Sequence, residues 1–276
     1  MSVELESVFH ETTFSASDLA QLPYDEVRQA VGRHGFVRIC GLFDRRQILA
    51  ARGTIERQFD RRHDRKHDPA DTEAVRTNFQ KLQVGGVTAI NTCARFLRML
   101  YNPIFAEDIY GMRAHFVRLA RFRNRLYGIP EDFAIHGTDD GLWTASRVHQ
   151  YPTGGGFMAA HADITTAAVA VEAGFDFYLQ VALLMSRKGE DFQAGGAFIE
   201  YDGQTLQYED ACDVGDVIVY DGRIVHGVAD IDPLQPLDMD TFSGRTVAFV
   251  TLFKHLRPHT SDYDDLKRHW PSPPHG

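Results

Sequence analysis

The chain has 276 residues, 43% hydrophobic and 24% charged, with a net charge of −9. That apolar share supports a sizeable globular core, and the acidic balance excludes a nucleic-acid binder that works through a broadly basic face. The N-terminus lacks a basic start, no stretch reaches the length of a membrane span, and Cys40, Cys93 and Cys212 form no CxxC pair. A signal peptide, a membrane anchor, a disulfide scaffold and a thiolate zinc site are therefore not expected. The composition reads as a cytoplasmic soluble protein with free thiols and neither nucleic-acid nor membrane partners.

In chain order, residues 24–32 have helical spacing, with Val27, Ala30 and Val31 on one side. Gly35 introduces an alternating strand at 36–40, Gly41 stops it, and Asp44 is placed to cap a helix from 45 to about 59. Residues 60–80 are charged and poorly periodic, and read as a loop. Helices are expected over 91–99 and 103–126, the second ended by Gly128 and Pro130. That second helix carries Arg113, Arg118, Arg121, Arg123 and Arg125, a stripe that reads first as a solvated face.

After about residue 143 the pattern changes to short β-rich runs between Gly, Asp and Pro breaks. Strands are expected at 146–151, 157–160, 177–185, 197–201, 205–207, 216–220, 227–229 and 245–254. So many short strands with no long helix between them predict a double-sheet jelly roll with a site in its mouth. The expected organisation is one domain over 1–276: a mainly helical portion at 1–143, a jelly-roll core at 144–257, and a peripheral polar tail at 258–276. The fold class is thus mostly β, with a jelly-roll core preceded and flanked by N-terminal helices.

Three spaced pieces carry candidate chemistry. His161 and Asp163 stand two apart, a spacing that on a strand points both side chains to one face. His226 follows an apolar strand and a turn, where a histidine can also be an ordinary hydrogen-bonded core residue. Two imidazoles and a carboxylate are the ligand set of a mononuclear non-haem Fe(II) site. Arg245 heads an apolar strand, and its planar fork suits a carboxylate, whether of a ligand or of a nearby aspartate. His-x-Asp alone is a common tripeptide and also reads as a surface pair.

Together these residues resemble the Fe(II)/2-oxoglutarate-dependent dioxygenase superfamily, in its prolyl-hydroxylase and phytanoyl-hydroxylase-like branches. The shared order is His161-x-Asp163, then His226, then Arg245, with Tyr151 ten positions before the first ligand. Gly195-Gly196, Gly215-Asp216 and His226-Gly227 match smaller features, and the likeness covers about half the chain closely. The resemblance implies a double-stranded β-helix core and Fe(II) on His161, Asp163 and His226. It implies 2-oxoglutarate chelated to the metal with its far carboxylate on Arg245, assisted by Tyr151, with Gln180 as a further contact. The implied reaction uses O2 to hydroxylate, desaturate or cyclise at an unactivated C–H bond of a small metabolite, releasing succinate and CO2. Asp163 fills the position that related halogenases leave open for chloride, which implies that halogenation is not the outcome.

This chain also departs from the family pattern. Arg245 lies 19 positions after His226, about twice the usual gap, which implies an inserted loop at 230–241 and makes Arg223 and Arg257 the substitutes for Arg245. A second co-substrate tyrosine of prolyl hydroxylases has an aliphatic counterpart near Leu184. Residues 136–143 and the insertion are the candidate mouth loops. The insertion's four aspartates read either as solvated or as selecting a cationic or polyhydroxylated substrate. Two rival readings stay open: a cupin-like metal enzyme that does not use 2-oxoglutarate, and a non-catalytic jelly-roll ligand-binding module.

Overall fold

Capping residues delimit the first helices in the computed structural model, which describes residues 3–65, 77–87, 93–164, 167, 170, 171 and 174–254. Helix α1 (Val3–Thr12) leads into a short strand β1 (Thr13–Ser15). Helix α2 (Tyr24–His34) buries Val27 and Val31 and ends where Gly35 takes φ 77° and donates its N–H to the Val31 carbonyl. That left-handed stop suits glycine. Strand β2 (Phe36–Cys40) follows, and helix α3 (Arg45–Gln58) begins where the Asp44 carboxylate accepts from the Gln47 N–H at 3.0 Å.

The next segment corrects the sequence expectation. Residues 64 and 65 form strand β3 (Asp64–Arg65), parallel to β4 (Phe79–Val87), so both flanks of the expected loop join a sheet. The expected helix at 91–99 is instead strand β5 (Cys93–Tyr101). Phe96 takes φ 56°, and the bulge displaces the alternation so that Ala94, Leu97 and Met99 are the buried residues of the inner core. An i, i+3 apolar spacing of this kind imitates a helix. The helix expected from residue 103 starts ten residues later, as α4 (Arg113–Tyr127), because Gly111 has φ 69° and Asp108 caps the Met112 and Arg113 N–H groups. Of its arginines, Arg121 and Arg125 pair with Asp132 and Glu131 at the surface, but Arg123 is fully enclosed. Burial pulls the Arg123 guanidinium down to about 10.

Strands β6 (Leu142–Tyr151), β7 (Gly156–His161), β8 (Leu179–Leu184), β9 (Gly196–Tyr201), β10 (Gln204–Leu206), β11 (Val217–Asp221), β12 (His226–Ile231) and β13 (Arg245–Lys254) build the core. Their hydrogen-bonded order is β11-β8-β13-β6 on one side and β7-β12-β9-β10 on the other. The chain therefore passes back and forth between two four-stranded sheets, which is the jelly-roll arrangement. Strand β5 joins them, pairing with β6 through residues 98–101 and with β7 through residues 94 and 95. The Phe96 bulge sits between those two stretches, where the strand turns from one sheet to the other. Strand β2 extends the first sheet beyond β11.

Alternation divides the apolar residues between two cores. Val181, Leu183, Val217, Val219, Ala248 and Val250 face outward against Ile48, Phe116 and Leu119 of the helices. Ala182, Leu184, Ile218, Val247 and Phe249 face inward, with Ala197, Ile199 and Val228 of the second sheet. A strand covered on both faces reads as a continuous apolar run, as β8 does; its one polar member is Gln180. The tail at 258–276 lies outside the described residues, and no helix among those described is long and apolar enough to cross a membrane.

Candidate active site

The second sheet brings the two histidines together. Strand β12 pairs antiparallel with β7 so that His226 stands opposite His161, with ring centroids 4.3 Å apart. Asp163 lies just past the end of β7, where its N–H donates to the Gly222 carbonyl at 2.7 Å. The ligating atoms of His161, Asp163 and His226 all lie within 4.8 Å of one another. Nε2 of His161 is 3.6 Å, and Nε2 of His226 3.7 Å, from oxygens of Asp163. These spans exceed a hydrogen bond.

The imidazole tautomers support metal binding. Nδ1 of His161 lies 2.8 Å from the Ala159 carbonyl, and Nδ1 of His226 lies 2.9 Å from the Ile224 carbonyl. A carbonyl only accepts, so each Nδ1 carries the proton and each Nε2 presents a lone pair toward Asp163. Burial holds the His226 imidazole below its usual range against the pull of Asp163, which keeps it neutral and able to ligate. Two neutral imidazoles and a carboxylate fit the donor preferences of Fe(II).

Gln180 of β8 reaches across from the first sheet. Its amide donates to Asp163 Oδ2 at 2.6 Å, and its carbonyl oxygen accepts from the Thr251 hydroxyl at 2.9 Å. Gln180 thus lines the cavity with one amide N–H engaged by the Asp163 carboxylate. Arg147 donates in turn to Thr251 at 3.2 Å. The result is a directed run of hydrogen bonds from Arg147 to Asp163.

The remaining sequence candidates line the same cavity, of about 180 Å³. Arg245 and Tyr151 are cross-strand partners on β13 and β6, and the guanidinium lies 5.2 Å above the Tyr151 ring. Burial pushes the Tyr151 phenol up to about 12, with Arg245 opposing. Arg245 already has a carboxylate partner: its Nε donates to Glu209 at 2.9 and 3.0 Å, and its Nη2 lies 2.7 Å from Glu209 Oε1. Both residues are buried. Burial works against the Arg245 charge, and Glu209 more than offsets it, holding the guanidinium protonated.

Of the two substitutes for Arg245, Arg223 does not line the cavity. Arg223 is bound to Asp221, and Arg257 lies outside the described residues. Nor do the insertion's aspartates turn toward it. Asp230 pairs with Arg95 and Asp240 with Arg61, Asp232 accepts from the Gln193 and Ala194 N–H groups, and Asp238 caps its own turn. Residues 136–143 end in Trp143, which packs edge-on against Phe253.

Sequence reasoning missed Glu209, His149 and Arg147. Glu209 lies in a one-turn helix after β10 with no motif around it. Arg147, His149 and Tyr151 are spaced two apart, and that period was the available signal that all three point inward.

No family model and no curated relative matches the chain. Among solved structures, it is similar to a candidate oxygenase from Shewanella oneidensis, at 14% identity and a TM-score of 0.52, over 93% of this chain and 96% of that one. It is also similar to the non-heme alpha ketoglutarate dependent epimerase SnoN from nogalamycin biosynthesis, at 13% identity and a TM-score of 0.51, over 93% of each chain. At such identities the likeness is one of fold, and the fold of this chain is that of these oxygenase structures.

Proposed function

We propose that the chain is an Fe(II)- and 2-oxoglutarate-dependent oxygenase that hydroxylates, desaturates or cyclises at an unactivated C–H bond of a small metabolite, releasing succinate and CO2. The reading rests on the convergence of His161, Asp163 and His226 with both Nδ1 atoms tied to carbonyls. Iron and 2-oxoglutarate, when bound, supply with O2 the oxidising power that side chains lack. The protein supplies position. Gln180 holds the Asp163 carboxylate toward the histidines, and Tyr220, with its ring centroid 4.7 Å from that of His226, packs against one of them. Phe249, Met158 and Leu97 contribute apolar walls to the cavity. Asp163 supports oxygenation over halogenation, because its carboxylate takes the position a halide needs. Free Cys40 and Cys212 suit a reducing, cytoplasmic setting.

The test is an anaerobic titration with Fe(II) and then 2-oxoglutarate, followed by visible absorption. A charge-transfer band that requires both components, and is lost in His161→Ala, is expected. The Glu209 carboxylate on Arg245 favours a second reading, a metal enzyme that does not use this co-substrate. Iron binding with no such band would select it. No iron binding would leave a ligand-binding module.

A further inference from the structure

Among the described residues, three charged side chains line the cavity: Asp163, Arg245 and Arg147. Asp163 faces the two histidines and Arg245 is paired with Glu209, so neither offers an unmatched charge. Arg147 differs. It is 6% exposed, and no carboxylate among the described residues lies in ion-pair range of it. Its Nε donates to Nε2 of His149 at 3.0 Å, and its Nη1 to the Thr251 hydroxyl. Its guanidinium carbon lies 5.4 and 5.2 Å from the centroids of the Phe249 and Phe253 rings. Burial, helped by Arg147 and Arg245, keeps His149 well below its usual range and therefore neutral.

A neutral imidazole, a hydroxyl and ring faces fix the guanidinium without cancelling its charge. Enclosing an arginine without a counter-charge costs several kcal/mol, which is sensible where a ligand brings the charge. Nη2 enters none of the hydrogen bonds described for Arg147. The run through Thr251 and Gln180 to Asp163 places it near the metal ligands.

We propose that Arg147 is the anion-binding residue of this cavity and holds a carboxylate of a small molecule bound beside the metal site. The proposal rests on the oxygenase reading only for the source of that carboxylate: the far end of 2-oxoglutarate, in place of the pre-paired Arg245, or an acidic group on the organic substrate.

The experiment uses the full chain loaded with redox-silent Zn(II). Calorimetry reads 2-oxoglutarate binding, and ligand-observed NMR reads acetate binding with and without 2-oxoglutarate. Arg147→Gln, Arg147→Lys and Arg245→Gln are compared, with Zn(II) affinity and thermal melting as checks on folding. If 2-oxoglutarate weakens by about tenfold or more in Arg147→Gln, with partial recovery in Arg147→Lys, the co-substrate is the source. If 2-oxoglutarate is unaffected but acetate no longer binds the saturated complex, the carboxylate belongs to the substrate.

Unchanged binding of both probes to Arg147→Gln, or losses confined to Arg245→Gln, would overturn the assignment. Should Arg147→Gln not fold, Arg147→Lys decides alone. It loses the planar fork, so a bidentate carboxylate weakens, whereas a packing role leaves both affinities unchanged. Wild-type protein that takes up no 2-oxoglutarate sinks the oxygenase reading, while the acetate arm still judges Arg147.

Discussion

Asp163 has two jobs to reconcile: it must face the histidines and must not swing away into the cavity. The Gln180 amide does this by holding Oδ2 at 2.6 Å, backed by Thr251. Replacing Gln180 with Leu keeps a similar volume but removes this hydrogen bond to the carboxylate. Metal affinity should fall about 10–100-fold, read by chelator competition, with little change in melting. His149 gives a second expectation. Its folded-state pKa is depressed well below 6.5, so below that pH the unfolded chain takes up a proton that the native imidazole refuses. Stability should therefore fall as the pH drops, at up to about 1.4 kcal/mol per pH unit, and His149→Gln should flatten that loss in urea titrations of metal-free protein. The cluster of His161, Asp163 and His226 was legible in the sequence because its chemistry and order are distinctive. Arg147 and Glu209 were not. An arginine's role depends on whether a carboxylate shares its burial, and that is set by which strands meet, not by neighbours in the chain.

Elements place these side chains through close contacts at turns. Gly222, between β11 and β12, accepts from the Asp163 N–H, and a Cβ there would lie 2.7 Å from the Tyr178 ring and 3.0 Å from Asp163 Oδ2. Gly222→Ala should cost about 1–3 kcal/mol and weaken metal binding with it. Gly137→Ala, where nothing lies within 4 Å, should stay within about 0.5 kcal/mol of wild type. Strands of the core were legible from their short apolar runs, as was the helix from Asp44. The two misread helices share a cause: a local distortion changed the period. At Phe96 a bulge made a strand read as a helix, and at Gly111 a left-handed residue delayed a helix that composition alone would have begun earlier. Arg123 shows the converse, a charge buried inside a stripe that otherwise reads as solvated.

On the scale of the whole molecule, the histidines come from one sheet, and the amide that steers Asp163 comes from the other. A metal ion on His161, Asp163 and His226 would therefore staple β7 to β12 and reach the other sheet only through the Gln180–Asp163 hydrogen bond. Zn(II) at about a hundredfold above its Kd should add about 2.7 kcal/mol and raise Tm by several degrees, an increment absent in His161→Ala. The overall jelly roll was legible because eight alternating runs admit few other closures. The contribution of β2 was not, since an isolated strand does not name its partner. Phe36 pairs with Tyr220, and Ile39 with Val217. During synthesis β2 leaves the ribosome long before β11, the strand it must join, is made. Until then its apolar residues and one row of backbone groups lack their native cover, so the nascent protein completes this sheet only after β11 has emerged, and a chain terminated before β11 exposes an adhesive edge.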